Sequence, residues 1–121
     1  NLSAHFEKCK RYGLKLTNRS GANYYTYDNA KALCTAYGAE LASYDQIEKA
    51  YNNGAEWCNY GWSDNQLALF PTQKKTYDTL QTIPGHENDC GRTGVNGGYI
   101  ANPNVKFGVN CYISIMYLKI G

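Results

Sequence analysis

The sequence predicts an α+β fold, with two helices packed on small antiparallel sheets. Two segments early in the chain carry apolar residues at helical spacing, each behind a capping residue and ahead of a glycine. Short alternating or apolar runs separated by turn residues follow them, which is how strands read. The helices precede most of the strands instead of alternating with them, the order of an α+β domain.

In chain order, residues 1–11 form a polar lead-in and 12–121 a single domain. Residues 12–17 alternate apolar and polar, as a first strand does. Tyr24-Tyr25 predicts a brief extended piece before the first helix. Thr26 caps that helix, Ala30, Leu33, Cys34 and Tyr37 form its inner face, and Gly38 ends it. Residues 39–42 are a short connector with strand character. Ser43 opens the second helix with Gln46 three residues on, a capping box. Ile47, Ala50 and Tyr51 give its inner face, and Asn52-Asn53-Gly54 stops it. Cys58-Asn59-Tyr60-Gly61-Trp62 then places a large indole at the middle of the cysteine ladder, where it centres the core. Leu67-Ala68-Leu69-Phe70 reads as a buried strand stopped by Pro71. Residues 72–98, rich in glycine and without apolar periodicity, read as one enlarged loop. Tyr99-Ile100-Ala101 and the run 109–120 are the closing strands.

Composition narrows the function. At 121 residues with 43% hydrophobic and 18% charged, the chain is globular. No apolar run approaches the roughly 18–20 residues of a membrane span. The chain starts at Asn1 without an initiator Met, which predicts part of a longer chain or assembly. Net charge is +2, divided as +4 over residues 1–20, −4 over 21–70 and +2 over 71–121. No basic stripe interleaved with aromatics is present, so nucleic acid is not an expected partner. Twelve tyrosines and many asparagines suit glycan or protein recognition, although AT-rich codons give the same bias. Asn1-Leu2-Ser3 and Asn18-Arg19-Ser20 are glycosylation sequons, making Asn1 and Asn18 candidates.

Five cysteines, none in C-x-x-C spacing, argue against a zinc site. Four of them fall in the first helix, after the second helix, in the long loop and in the last strand. The run YDNAKALC at 27–34, then Gly38-Ala39-Glu40-Leu41-Ala42, Gln46-Ile47-Glu48-Lys49-Ala50, residues 54–58 and Gly61-Trp62 resembles the Link module. That is the hyaluronan-binding domain of cartilage proteoglycans and certain cell-surface receptors, with a C-type-lectin-like fold. Cys90-Gly91-Arg92-Thr93-Gly94 and Cys111-Tyr112 continue the likeness. It implies disulfides Cys34–Cys111 and Cys58–Cys90, an oxidising compartment and an extracellular, cell-surface or virion location. Cys9 sits where Link modules with extra flanking segments carry another cysteine; a partner outside this segment is favoured over an interchain bond or a free thiol.

The resemblance also implies a sugar groove of stacking rings with bases beside them. The basic-Tyr pair ahead of the first helix falls at Ala22-Asn23, so the base is lost and Tyr24 offers the ring. Phe70 keeps the aromatic before the proline without its hydroxyl. The aromatic after the third cysteine is absent, since Cys90-Gly91 runs into Arg92. Tyr99 stands for the later tyrosine, with Ala101 or Asn102 in place of the base after it. The enlarged loop adds Lys74, Lys75 and Tyr77. The candidate glycan residues are therefore Tyr24, Phe70, Lys74, Lys75, Arg92 and Tyr99.

Catalysis is not expected. His86-Glu87-Asn88-Asp89 lacks the second histidine of H-E-x-x-H, and no serine elbow, phosphate loop or dinucleotide fingerprint occurs. The proline loop Asn102-Pro103-Asn104 lacks the acid a lectin calcium site needs. No metal and no cofactor are expected. Two functions from different classes stay open. One is a glycan-binding module for adhesion or matrix association, and the other a structural or protein-docking module on a cell surface, matrix or virus coat.

Overall fold

A computed structural model describes residues 15–17, by backbone alone, and 25–113. Its elements are β1 (Lys15–Thr17), α1 (Tyr27–Ala36), β2 (Glu40–Leu41), α2 (Tyr44–Asn52), β3 (Gly61–Ser63) and a 3-10 turn (Asp64–Gln66). After the turn come β4 (Leu67–Thr72), α3 (Lys74–Gln81), β5 (Gly94–Tyr99), β6 (Gly108–Val109) and β7 (Cys111–Ile113).

Both expected helices form behind their caps. The Thr26 hydroxyl accepts from the Asn29 N–H at 3.3 Å, and Ala30 and Cys34 are buried. Tyr37 is not on the inner face. It is the C-cap, 45% exposed, and the chain leaves the helix there through Gly38 at φ +70°. Ser43 and Gln46 complete their capping box at 3.2 and 2.9 Å, while Ile47 and Ala50 face inward.

Two readings of the later chain are corrected. Residues 72–98 are not one loop, because they contain α3 and β5. No residue of α3 is fully buried; Thr76, Tyr77 and Leu80 are half-buried on its inner side, a face too short to stand out from the turn-rich residues around it. It is fastened by polar bonds: Gln73 Nε2 donates to the Tyr51 and Ala55 carbonyls at 2.8 Å each, and Thr76 donates to Glu56 at 2.7 Å. The β5 sequence GVNGGY hides a strand behind its glycines, yet pairs residue by residue with β4 from Gly94 to Tyr99. Pro71 does not stop β4. The Pro71 carbonyl accepts from the Trp57 N–H at 3.3 Å. That edge of residue 71 lies past the end of β3, whose ladder stops at Gly61 opposite Leu69, so no N–H is required there.

The strands make two sheets. One has the order β1-β7-β2, all antiparallel; the other has the order β5-β4-β3-β6, with β3 and β6 parallel. Ile47, Ala50 and Leu69 form one core under α2. Ala30, Cys34, Leu41, Trp62, Val109 and Cys111 form the other under α1. Trp62 has no exposed surface, and its indole N–H is shared between the Tyr25 and Val105 carbonyls at 3.0 and 3.1 Å. Asn110 links the sheets at the step from β6 to β7. Its buried amide donates to the Gly61 and Leu69 carbonyls and to the Ser63 hydroxyl, so its own polar atoms are satisfied inside the core.

Both expected disulfides are present. Cys34–Cys111 joins α1 to β7, and Cys58–Cys90 joins the segment before β3 to the one before β5.

Candidate functional site

Side chains paired across strands share a face of the sheet, so the register of the second sheet decides which residues can act together. Trp62 is opposite Ala68, Ala68 opposite Gly98, and Phe70 opposite Asn96. These residues lie on the face packed by α1. Leu67, Leu69 and Val95 belong to the other face, under α2. Tyr99 is opposite Leu67 and lies with them.

This separates the two expected stacking rings. Tyr99 is 65% exposed but on the opposite face from Phe70, and the position level with it on the Phe70 face is Gly98. A one-residue offset along a strand reverses the side chain. Phe70 in turn is only 5% exposed. The exposed ring above it is Tyr60, one residue before the β3 ladder begins. Its ring meets Phe70 edge-on at 4.7 Å and 87°, and Phe107 at 5.8 Å. Phe107 itself packs on Trp62 at 5.1 Å.

Local structure explains why Tyr60 stands there. Cys58 adopts φ +44° and is tied to Cys90, which fixes how the chain enters β3. The Tyr60 carbonyl then accepts from the Gly108 N–H at 3.1 Å, holding its backbone against β6. With the backbone fixed on one side and the ring braced on two, a 41% exposed tyrosine loses little entropy when something stacks on it.

Two glycines of β5 share the Phe70 face, Gly94 opposite Thr72 and Gly98 opposite Ala68. A Cβ added at Gly94 or Gly98 would meet nothing within 4 Å. Asn96 folds back on the turn before β5, accepting from the Arg92 N–H at 2.9 Å and donating to the Arg92 carbonyl at 2.8 Å. That fixes the backbone of Arg92, whose side chain is exposed. Lys106, next to Phe107, is also exposed. The face thus offers one braced ring, with two glycines of β5 that carry no side chain on it.

Lys74 and Lys75 do not stand in a loop. They begin α3, which is anchored to Tyr51, Ala55 and Glu56 at the C-terminal end of α2. Lys74 is paired with Asp78 one turn on, and the hydrogen bond and charge of that carboxylate raise its pKa. Tyr24, Cys9, Asn1 and Asn18 lie outside the described residues. Among the described residues no group of three or more metal-ligating side chains occurs. His86 contacts Asp89 at 2.7 Å on an exposed turn. Tyr60 had escaped the sequence reading, although it sits in the cysteine-glycine-tryptophan stretch; nothing local tells which side of the sheet a residue just outside a strand will face.

Comparison with known proteins agrees with this architecture. The extracellular link domain model matches residues 7–112. The lymphatic vessel endothelial hyaluronic acid receptor 1 of Mus musculus is 35% identical over 63 residues, covering 52% of this chain and 20% of that protein. The tumor necrosis factor-inducible gene 6 protein of Homo sapiens is 33% identical over 95 residues, covering 78% of this chain and 31% of that protein. The similarity therefore spans less than a third of either relative. The family match over most of the chain, on an α+β fold of three helices, two small sheets and two disulfides, shows that the chain belongs to the extracellular link domain family of non-catalytic binding modules.

Proposed function

We propose that this module binds a hyaluronan-like polysaccharide on the uncovered part of the Phe70 face, for adhesion or matrix association at a cell surface. The observation that carries the proposal is Tyr60, an exposed ring braced by Phe70 and Phe107. A sugar stacks its C–H face on such a ring. Arg92, with its backbone held by Asn96, supplies a cation for a uronate carboxylate. Phe70 acts as the brace under Tyr60. The name of the mouse relative, a hyaluronic acid receptor, supports the choice of polymer. Relatives from mouse and human favour a cell-surface or matrix setting over a virus coat.

Titration with hyaluronan at low and physiological salt tests this. Saturable binding is expected to fall about tenfold or more in Tyr60→Ala, as base-stacking rings do on truncation. Arg92→Ala is expected to lose a few-fold and to flatten the salt dependence. Steep salt dependence with no effect of Tyr60→Ala would overturn the site. The docking alternative gains support from Tyr99, which lies on the opposite face from Phe70. A folded module that binds no polysaccharide would favour it.

A further inference from the structure

The four-strand sheet ends on β5, and among the described residues nothing pairs with the outer side of that strand. The other edge strands are short, with two residues in β2 and β6 and three in β1, whereas β5 has six. Edge strands are commonly guarded by charge or proline. The sequence GVNGGY has neither, and the nearest charged residues along the chain are Arg92 and Lys106.

Which backbone groups face outward follows from the ladder. Pro71, opposite Val95, has no N–H, and its carbonyl accepts from Trp57 on the β3 side, so this pair is not bonded. At the far end the Ile100 N–H donates to the Gln66 carbonyl at 2.9 Å. Bonded and unbonded pairs alternate in an antiparallel ladder, so Gly94, Asn96 and Gly98 bond β4. The N–H and C=O groups of Val95, Gly97 and Tyr99 point away from it.

This edge is self-complementary about Gly97. When two β5 strands pair antiparallel with Gly97 at the centre, Val95 faces Tyr99 of the second copy, and Tyr99 faces its Val95. Both side chains lie on the α2 face, where Val95 packs half-buried on the core and Tyr99 is 65% exposed. An aromatic ring opposite a β-branched side chain is a favourable cross-strand pair. Each copy thus supplies the cover that the other's tyrosine lacks.

We infer that β5 pairs antiparallel with β5 of a second copy of this chain, joining two sheets into one of eight strands. The two-fold axis stands perpendicular to the sheet, so both α2 faces look one way and both Phe70 faces the other. The two β3 strands then lie about 24 Å apart, five strand spacings. On the glycan reading above, from which this consequence alone follows, two Tyr60 rings meet one polymer together. A six-residue strand pair buries less than the roughly 1,200–2,000 Å² of a stable interface, so the dimer is weak, with a Kd on the order of 0.1 mM.

Sedimentation equilibrium and amide NMR of the isotope-labelled chain without glycan, from about 10 μM to 1 mM, test this. A monomer–dimer equilibrium is expected, with concentration-dependent shifts and slowed exchange at the amides of Val95, Gly97 and Tyr99. Asn96 and Gly98, already bonded to β4, should change little. Tyr99→Lys should weaken the dimer about tenfold, and Tyr99→Phe should stay within about twofold of the unaltered chain. A monomer throughout the range overturns the inference, and so does a dimer whose shifts lie elsewhere or fail to alternate along β5. A monomer whose outward amides already exchange slowly also overturns it, since another segment then covers the edge. The alternation in the unaltered chain decides the matter even if a variant fails to fold. Tyr60→Ala should dimerise like the unaltered chain, so this inference and the glycan reading fail separately.

Discussion

Gly97 and Gly98 are neighbours on β5 with opposite demands. Gly97 adopts φ +109°, and a Cβ there would overlap the Ala68 carbonyl on β4. Backbone cannot move aside as a flexible side chain can, so the clash adds to the cost of the left-handed conformation. Gly98 has no unusual φ and nothing within 4 Å of an added Cβ. We expect Gly97→Ala to lose about 2 kcal/mol or more, and Gly98→Ala to stay within roughly 0.5 kcal/mol of wild type, by urea unfolding. Equal losses would show that this close approach does not govern the strand. The glycines also shape the candidate site. Gly97 lets β5 lie tightly on β4, and Gly98 leaves its position on the Phe70 face without a side chain.

Among the elements, α2 and α3 differ in what holds them. The second helix has a capping box, an acidic first turn at Asp45, a basic last turn at Lys49, and Ile47 and Ala50 buried. The third has no side-chain cap bond at Gln73 and no buried residue; it relies on Gln73, Thr76 and Glu56 for its attachment. These half-buried polar bonds contribute about 1 kcal/mol each, more where the acceptor is the Glu56 carboxylate. Hydrogen exchange is therefore expected to be faster for the α3 amides at 77–81 than for those of α2 at 48–52, through local opening short of global unfolding. Matching protection in the two helices would refute this. The same contrast explains why α2 was legible in the sequence and α3 was not. Ile47 and Ala50 stand behind a capping box that marks where α2 begins, whereas the half-buried Tyr77 and Leu80 of the eight-residue α3 have no side-chain cap ahead of them.

For the whole molecule, the two disulfides carry unequal weight. Cys34 and Cys111 are fully buried among the residues packed on Trp62, whereas Cys58 and Cys90 are half-buried near the candidate face. Their sequence separations are 77 and 32. Closing such loops in the unfolded chain is worth about 4.5 and 3.7 kcal/mol in the chain-entropy treatment. Removing the first also leaves two polar groups in the core. Cys34→Ser with Cys111→Ser is expected to prevent folding. Cys58→Ser with Cys90→Ser is expected to leave a folded domain of lower thermal midpoint and weakened hyaluronan binding, because Cys58 directs Tyr60. Circular dichroism melts and the hyaluronan titration check both, and the reverse order of stability would sink the ranking.

The sequence by itself determined the fold class, the first two helices with their caps, the four-cysteine framework and the likeness to the Link module. Each is encoded locally or by the order of motifs: a capping residue three positions from its partner, an apolar face at helical spacing, cysteines in a set succession. Only the tertiary structure decided which residues can meet a ligand together. Whether Tyr99 joins Phe70 depends on the β4–β5 register, and a single residue of offset moves a side chain to the other face. Tyr60 became the exposed ring because Phe70, Phe107, β6 and the Cys58–Cys90 bond converge on it from distant parts of the chain. Strand pairing and long-range packing set such convergence, and neither is written in the residues beside it.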